Sequence, residues 1–345
     1  MYTNKEIWNV SYPIFLGLLA QNIINVTDTA FLGRVGEVEL GASAMGGLFY
    51  ICVFTIAFGF SIGSQILIAR RNGEGRYKDV GPVMIQGGTF LLGLAVLMFG
   101  LTHLLAPSVV RLLISSDSIF DATMEFLNWR IFGFFFAFIN VMFRALYIGI
   151  TRTKVLTMNA VVMALVNVLL DYILIFGKFG MPEMGIKGAA VASVMAEAAS
   201  LAFFLIYTYA KVDFKKFGLN HWQKIDFSLL GRILSISCFT MVQYFLAMAT
   251  WFVFFIAIER LGQRELAIAN IVRSIYIVML IPVQALSTTT NSLVSNLIGA
   301  GKPEQVMGLC GRMIRICYYF VLPLGILIAL FPELVLRIYT DNLDL

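Results

Sequence analysis

The sequence predicts an all-α polytopic membrane protein, with two parallel pseudo-repeats of six transmembrane helices, the second only half present. Three observations carry that expectation: a mean hydropathy of +0.86, nine long apolar runs, and a self-similarity at a fixed offset of 226 residues. A chain of 345 residues that is 59% hydrophobic and 13% charged lies outside the range of water-soluble domains. Each apolar run is long enough to cross the ~30 Å hydrocarbon layer as a helix. None alternates in the way that a membrane β-strand must.

Taken in order, the runs cover 10–32, 42–69, 82–105, 122–147, 155–177, 186–210, 228–258, 266–297 and 304–331. The first is too long for a signal peptide, and no Ala-x-Ala-like cleavage site follows it. The second contains GFSIG (59–63), which matches the pattern of a nucleophile elbow. That motif needs a sharp turn, whereas in a continuous helix Gly59 and Gly63 read as a small-xxx-small packing face. A serine protease built on Ser61, with His103 as base, is therefore the remote alternative, and the chain is not expected to be an enzyme. The fifth run reads VVMALVNVLLDYILIFG (161–177) and carries Asn167 and Asp171. The sixth is alanine-rich and carries Glu197. Between the sixth and seventh lies KVDFKKFGLNHWQKID (211–226), the longest polar connection. It divides a first lobe (1–210) from an incomplete second lobe (228–345), with 211–227 as a cytoplasmic linker.

The repeat sets the architecture. GRVGEVELGAS (33–43) lies over ERLGQRELAIA (259–269), and NGEGRYKDV (72–80) over IGAGKPEQV (298–306), with no gap between the two matches and 11 identities in the 47 positions from 34 to 80. The register continues to VVRLL (109–113) over VLRIY (335–339). An offset of six helices preserves the inside–outside sense, so the two units are parallel repeats, as in two-lobed transporters. A complete second unit would need three more helices, and a truncated chain or a fragment is the expectation.

Basic residues set the orientation. Lys5, Arg70, Arg71, Arg76, Lys78, Arg152, Lys154, Lys211, Lys215, Lys216, Lys224 and Lys302 fall on one side. Arg34, Arg111, Lys178, Lys187, Arg260 and Arg264 fall on the other. The bias of 12 to 6 predicts a cytoplasmic N-terminus in a plasma membrane, the bacterial inner membrane. The basic excess belongs to loops and not to a nucleic-acid-binding face. Cys52, Cys238, Cys310 and Cys317 lie in apolar runs with no disulfide or metal pattern.

Two acids stand out inside the bilayer. Asp28 lies five residues before Gly33, and Asp171 six before Gly177, which puts both about 8–9 Å below the outer boundary. Gln21, Asn25 and Asp28 share one helix face, as do Asn167 and Asp171. The two stripes are expected to face one another across a hydrated cavity. A carboxylate buried there either takes up a proton and becomes neutral or keeps its charge by coordinating a cation. Carboxylate and amide oxygens form a hard-oxygen set suited to Na⁺ or H⁺ and unsuited to zinc. Asn140 is a candidate to complete the site, and Asn25 and Glu197 are candidates to line its cavity. Interhelical hydrogen bonding is the plain alternative for each polar residue.

At these residues the chain resembles the multidrug and toxic compound extrusion (MATE) family. The resemblance covers 1–345 and is carried by NVTDTAFLGRVG (25–36), GEGRYKDV (73–80), and NVLLDYILIFG (167–177) followed by MPEMGIKGAAVAS (181–193). It implies two six-helix bundles facing a central cleft, and a first-lobe cation site at Asp28, Asn167 and Asp171 with Gln21 and Asn140 nearby. It also implies antiport of amphipathic, cationic organic compounds against Na⁺ or H⁺, with no cofactor beyond the coupling ion. Some members carry a further acid midway along helix seven, but FTMVQYFLAMATWFVFF (239–255) has none. A related flippase for a lipid-linked precursor would need a basic cavity. Arg130 and Arg144 are expected near helix ends, so the exporter leads.

Overall fold

The computed structural model describes residues 1–338, and all the regular structure within them is helical. The helices are α1 (Asn4–Val35), α2 (Glu37–Gly73), α3 (Val80–Leu113), α4 (Asp117–Arg130), α5 (Gly133–Gly149) and α6 (Lys154–Phe176). They continue with α7 (Ile186–Lys211), α8 (Phe214–Phe217), α9 (Phe227–Glu259), α10 (Gln263–Gly299), α11 (Val306–Leu330) and α12 (Pro332–Leu336). Among the described residues, eight single helices are long and apolar enough to cross a membrane. The α4–α5 pair, bent by 54°, is apolar enough to make a ninth if it crosses as one span. The last residue of the repeated VLRIY segment, Tyr339, lies outside the described residues.

The long helices overshoot the apolar runs. At 1.5 Å per residue the 32 residues of α1 span about 48 Å, more than the hydrocarbon layer alone. A capping box starts α1: Thr3 Oγ1 accepts from the Glu6 amide at 3.2 Å, and Glu6 Oε2 accepts from the Thr3 amide at 2.7 Å. The fourth run is the one that departs from a continuous span. Its helix ends at Arg130 and restarts at Gly133, for a reason that lies in the side chains packed there.

The repeat is visible in the backbone. Helix α10 reproduces α2 residue for residue at the offset of 226, and each is followed by a short 3₁₀ turn, Tyr77–Asp79 or Pro303–Gln305. Gly75 and Gly301, one per copy, both have φ of 74°, a left-handed conformation that a side chain resists. Both helices end at a close crossing. A Cβ at Gly73 would overlap the main-chain oxygen of Asn296, and a Cβ at Gly299 would overlap that of Arg70. Residue 296 is the copy of residue 70, so the contact is isologous, as twofold symmetry requires. Above it, Gln65 Nε2 donates to Asn291 Oδ1 at 3.1 Å, a pair separated by 226 positions.

Helix α10 also fastens the end of α5. Ser292 Oγ donates to the Ile148 carbonyl at 2.5 Å and Asn296 Nδ2 to that of Gly149 at 3.0 Å, satisfying carbonyls that a helix C-terminus leaves open. The polar segment after α7 packs along α3. Gln86 Nε2 donates to the Lys224 carbonyl at 2.8 Å, and Gln86 Oε1 accepts from the Asp226 amide at 3.0 Å.

The crossing sets the first prediction. Gly73→Val should destabilise the purified protein by at least the ~1–3 kcal/mol of an overpacked core, lowering its Tm. Gly88→Ala, at a site with nothing within 4 Å of the added carbon, should leave the Tm unchanged or slightly raised. Equal melting of the two variants would show that the two helices do not meet at Gly73.

Candidate functional site

Asp28 and Asp171 come together through a shared partner. Asn167 Nδ2 donates to Asp28 Oδ1 at 2.6 Å and to Asp171 Oδ2 at 2.8 Å, joining α1 to α6. Asn167 and Asp171 are 1% and 0% exposed, respectively, while Asp28 is half-buried. The other oxygen of Asp171, Oδ1, is buried with no hydrogen-bond partner. It is the acceptor left for a proton or a cation. Asn167 Oδ1 in turn accepts from Ser193 Oγ at 3.5 Å, bringing α7 to the site. One turn outward, Leu32, Ile175 and Ala189 form a buried apolar cluster with Phe31 and Phe176 against it. The rings of Phe31 and Phe176 meet edge to face at 5.8 Å.

The remaining candidates lie elsewhere. Gln21 and Asn25 are exposed along α1, and no side-chain hydrogen bond joins either to the carboxylates among the described residues. Asn140 on α5 donates its Nδ2 to the Glu197 main-chain oxygen at 3.0 Å, and its Oδ1 is buried without a partner. Glu197 does not offer a free carboxylate to a cavity. Arg130 grips it bidentately, Nη1 to Oε2 at 3.0 Å and Nη2 to Oε1 at 2.7 Å, and the Tyr50 hydroxyl donates to the same carboxylate at 3.0 and 3.1 Å. The Arg130 guanidinium also lies over the Tyr50 ring, 3.7 Å from its centroid.

This cluster accounts for the bend. A Cβ at Gly133 would overlap both the Arg130 guanidinium and the Glu197 carboxylate, so the chain breaks where the ion pair occupies its path. Sequence spacing on α7 shows a polar face that Glu197 shares, but not its partner. Ser193, Glu197, Ser200 and Thr208 share one face. Ser200 Oγ donates to Asn159 Oδ1 at 2.9 Å, and Thr208 Oγ1 shares a 2.5 Å hydrogen bond with the Tyr147 hydroxyl.

A second feature lies between α2, α5, α9 and α10, where a cavity of about 250 Å³ is lined by Phe58, Gln65, Arg144, Gln243, Tyr244 and Asn291 among others. Arg144 is thus not a helix-end residue outside the cavity, as its sequence position suggested. It sits five residues inside the end of α5, and its guanidinium is 5.2 Å from the centroid of the Phe58 ring. The GFSIG segment serves packing. Ser61 Oγ donates to the Phe58 carbonyl of its own helix at 2.7 Å. A Cβ at Gly59 would come within 2.6 Å of Met241 Cα, and one at Gly63 would overlap Ser237 Oγ, so both glycines admit α9. His103 packs edge-on against Phe99 at 4.7 Å.

A family model described as MatE matches residues 13–173 and 238–345. The chain is 25% identical over 308 residues to a probable multidrug resistance protein NorM of Idiomarina loihiensis, covering 86% of this chain and 64% of that one. It is 25% identical over 342 residues to a protein of the same description from Thermotoga maritima, covering 98% and 72%. It therefore spans roughly two thirds of the length of these relatives. A solved outward-facing conformation of a multidrug resistance MATE family transporter of the MOP superfamily has the same fold, with a TM-score of 0.88 at 20% identity, covering 98% of this chain and 74% of that one.

The ion pair at the bend carries the second prediction. Removing one member, as in Arg130→Ala, leaves a buried charge and should cost ~3–5 kcal/mol, whereas Arg130→Met with Glu197→Leu should cost much less. Unfolding of the purified variants measures both. A single variant as stable as the parent would remove the pair from its place at the bend.

Proposed function

The chain belongs to the MatE family, and from that premise we propose that it exports amphipathic organic compounds, cationic ones among them, by antiport against Na⁺ or H⁺. Asp28, Asn167 and Asp171 form the coupling site in this reading. One observation carries it: two carboxylates from different helices converge on a single amide nitrogen, and one oxygen of the fully buried Asp171 has no partner. Two such acids cannot both stay ionised in an apolar bundle unless a cation lies with them. Protonation or Na⁺ binding relieves that repulsion. The available atoms, two carboxylates with Asn167 Oδ1 and Ser193 Oγ nearby, are hard oxygen donors. No cofactor beyond the ion is needed.

Coupling requires the ion to bind the inward- and outward-open states with different affinity, since equal affinity shifts nothing. The site can supply that difference because Asp28 belongs to α1 and Asp171 to α6. Their mutual approach therefore depends on the position of one helix against the other. Gln21 and Asn140 have supporting places in this reading, Gln21 on the exposed face of α1 below Asp28 and Asn140 beneath the site against α7. The two lobes, 1–210 and 228–345, are the bodies whose relative motion would alternate access, with the segment 211–227 between them.

Asp171→Asn preserves shape and deletes the charge, so it should abolish gradient-driven export in proteoliposomes while leaving folding and substrate binding intact. Asn167→Ala should instead raise the ion concentration needed for half-maximal transport. Asp28→Asn, alone or combined with Asp171→Asn, should be no worse than Asp171→Asn, because the two acids act as one site. Full gradient-driven export by Asp171→Asn would return these residues to helix packing.

Orientation has its own test, from the bias of basic residues. In intact cells, cysteines introduced at Lys215 and Lys302 should be shielded from an impermeant thiol reagent, while one at Lys178 should react. The inverse labelling pattern would turn the chain over in the membrane.

A further inference from the structure

We propose that Arg144 anchors a ligand subsite for a single organic carboxylate within the cavity between α2, α5, α9 and α10. The assignment starts from the treatment of the buried and half-buried arginines in this fold. Arg130 is answered by Glu197 and Tyr50. Arg71 donates to the Asp79 carbonyl at 2.6 Å. Arg144, in contrast, has no ion pair or hydrogen bond among the described residues, and it lies near the face of Phe58 and beside Tyr244. An unanswered charge within a membrane span is costly and marks a functional site by default.

The cavity that Arg144 faces is built to receive a negative group. Its polar lining comes from Gln65, Thr240, Gln243, Ser287, Thr288 and Asn291, all of them neutral, and contains no carboxylate among the described residues. These side chains can donate to an anion without neutralising Arg144 in its absence. Phe58 and Tyr244, with rings edge to face at 5.3 Å, offer an apolar wall to the body of the same ligand. A guanidinium pairs bidentately with a carboxylate. One guanidinium does not balance the several charges of a pyrophosphate headgroup, which is why the ligand assigned is a monoanion on an aromatic or alkyl body.

This places the acidic groups and the ligand cation in different compartments of the molecule. Asp28 and Asp171 lie between α1 and α6, whereas Arg144 faces α9 and α10. Zwitterionic and anionic amphipaths then join the cationic ones expected from the acids. The transport role of the subsite rests on the exporter reading above, but binding at Arg144 does not.

The test compares 1-pyrenebutyrate with 1-pyrenebutanol, which share a fluorescent body and differ in the charged group, as ligands of the purified chain in detergent. The carboxylate should bind about 10-fold more tightly. Arg144→Gln should erase that preference while leaving the affinity for the alcohol unchanged, which also reports that the cavity is still folded. Arg144→Lys should retain part of the preference. Gln243→Glu, which puts a carboxylate into the cavity itself, should erase it with Arg144 in place. Equal affinity of the two probes in the parent chain, or a preference that survives Arg144→Gln, would overturn the proposal. So would displacement of pyrenebutyrate by a polyprenyl phosphate at concentrations where a long-chain carboxylate has no effect, since that makes the site a lipid phosphate site. Asp171→Asn should keep the carboxylate preference while losing gradient-driven export. A failure of the exporter reading is thereby distinguished from a failure at Arg144.

Discussion

In the hydrocarbon layer no water is available to complete a hydrogen bond, so each polar group in these helices has to be answered from within the bundle. Helix α7 shows how the chain meets that demand. Along one face, Ser193, Glu197, Ser200 and Thr208 reach Asn167, Arg130, Asn159 and Tyr147 in turn, tying α7 to α4, α5 and α6. The bend between α4 and α5 follows from the same demand, because the Glu197 carboxylate is matched only when Arg130 reaches it across Gly133. Where the demand is not met, the exceptions are informative. Among the described residues, the buried Asp171 Oδ1 and Asn140 Oδ1 have no donor, and Arg144 has no anion.

Symmetry organises the scaffold, but the chemistry does not follow it. The α2 and α10 copies meet at equivalent residues, with Gly73 and Gly299 each against the other's main chain and Gln65 bonded to its own counterpart, Asn291. A residue touches its own counterpart only close to a twofold axis, so the Gln65–Asn291 bond marks that axis and the cavity lies on it. The acid is not duplicated. At the repeat offset Asp28 corresponds to Phe254, whose ring packs edge-on against Trp251 at 5.8 Å. The symmetric frame therefore does not repeat Asp28 at its counterpart position, so the two copies differ where the coupling acid of the exporter reading sits.

Much of this was legible in the sequence, and what was not has a common cause. Hydropathy located the eight single spans and the apolar run that forms the bent α4–α5 pair, because each run is a local property. The 226-residue offset forecast that the second unit would repeat the first in parallel, and helical spacing put Asn167 on the face of Asp171. Spacing speaks only of residues on one helix. It could not pair Glu197 with Arg130, 67 positions away, and so left Glu197 as a free acid and α4–α5 as one straight span. The same limit put Gln21 and Asn25 with Asp28, which they share a helix with, although the partners of Asp28 lie on α6. Arg144 was misplaced because the run around it gave no sign that α9 and α10 would leave a gap beside it.

The hydrogen bonds between α1 and α6 also bear on how an event at Asp28 could be felt elsewhere. In the first half of α1, Thr153 Oγ1 donates to the Val10 carbonyl at 3.0 Å and Thr157 Oγ1 to that of Pro13 at 3.2 Å. These bonds join a hydroxyl to a carbonyl and are indifferent to ion binding. In the second half, the side-chain link between the two helices runs through Asn167 to Asp28, and its strength depends on the charge of the acids. On the exporter reading, proton or cation binding would act on α1 beyond Pro13, with the part up to Pro13 held by these ion-independent bonds. The proline removes an amide donor at the boundary between those halves, and the same helix packs against α10, which forms one wall of the central cavity. On the exporter reading, a change of charge at Asp28 and Asp171 is felt first by the part of α1 beyond Pro13, through its link to Asn167.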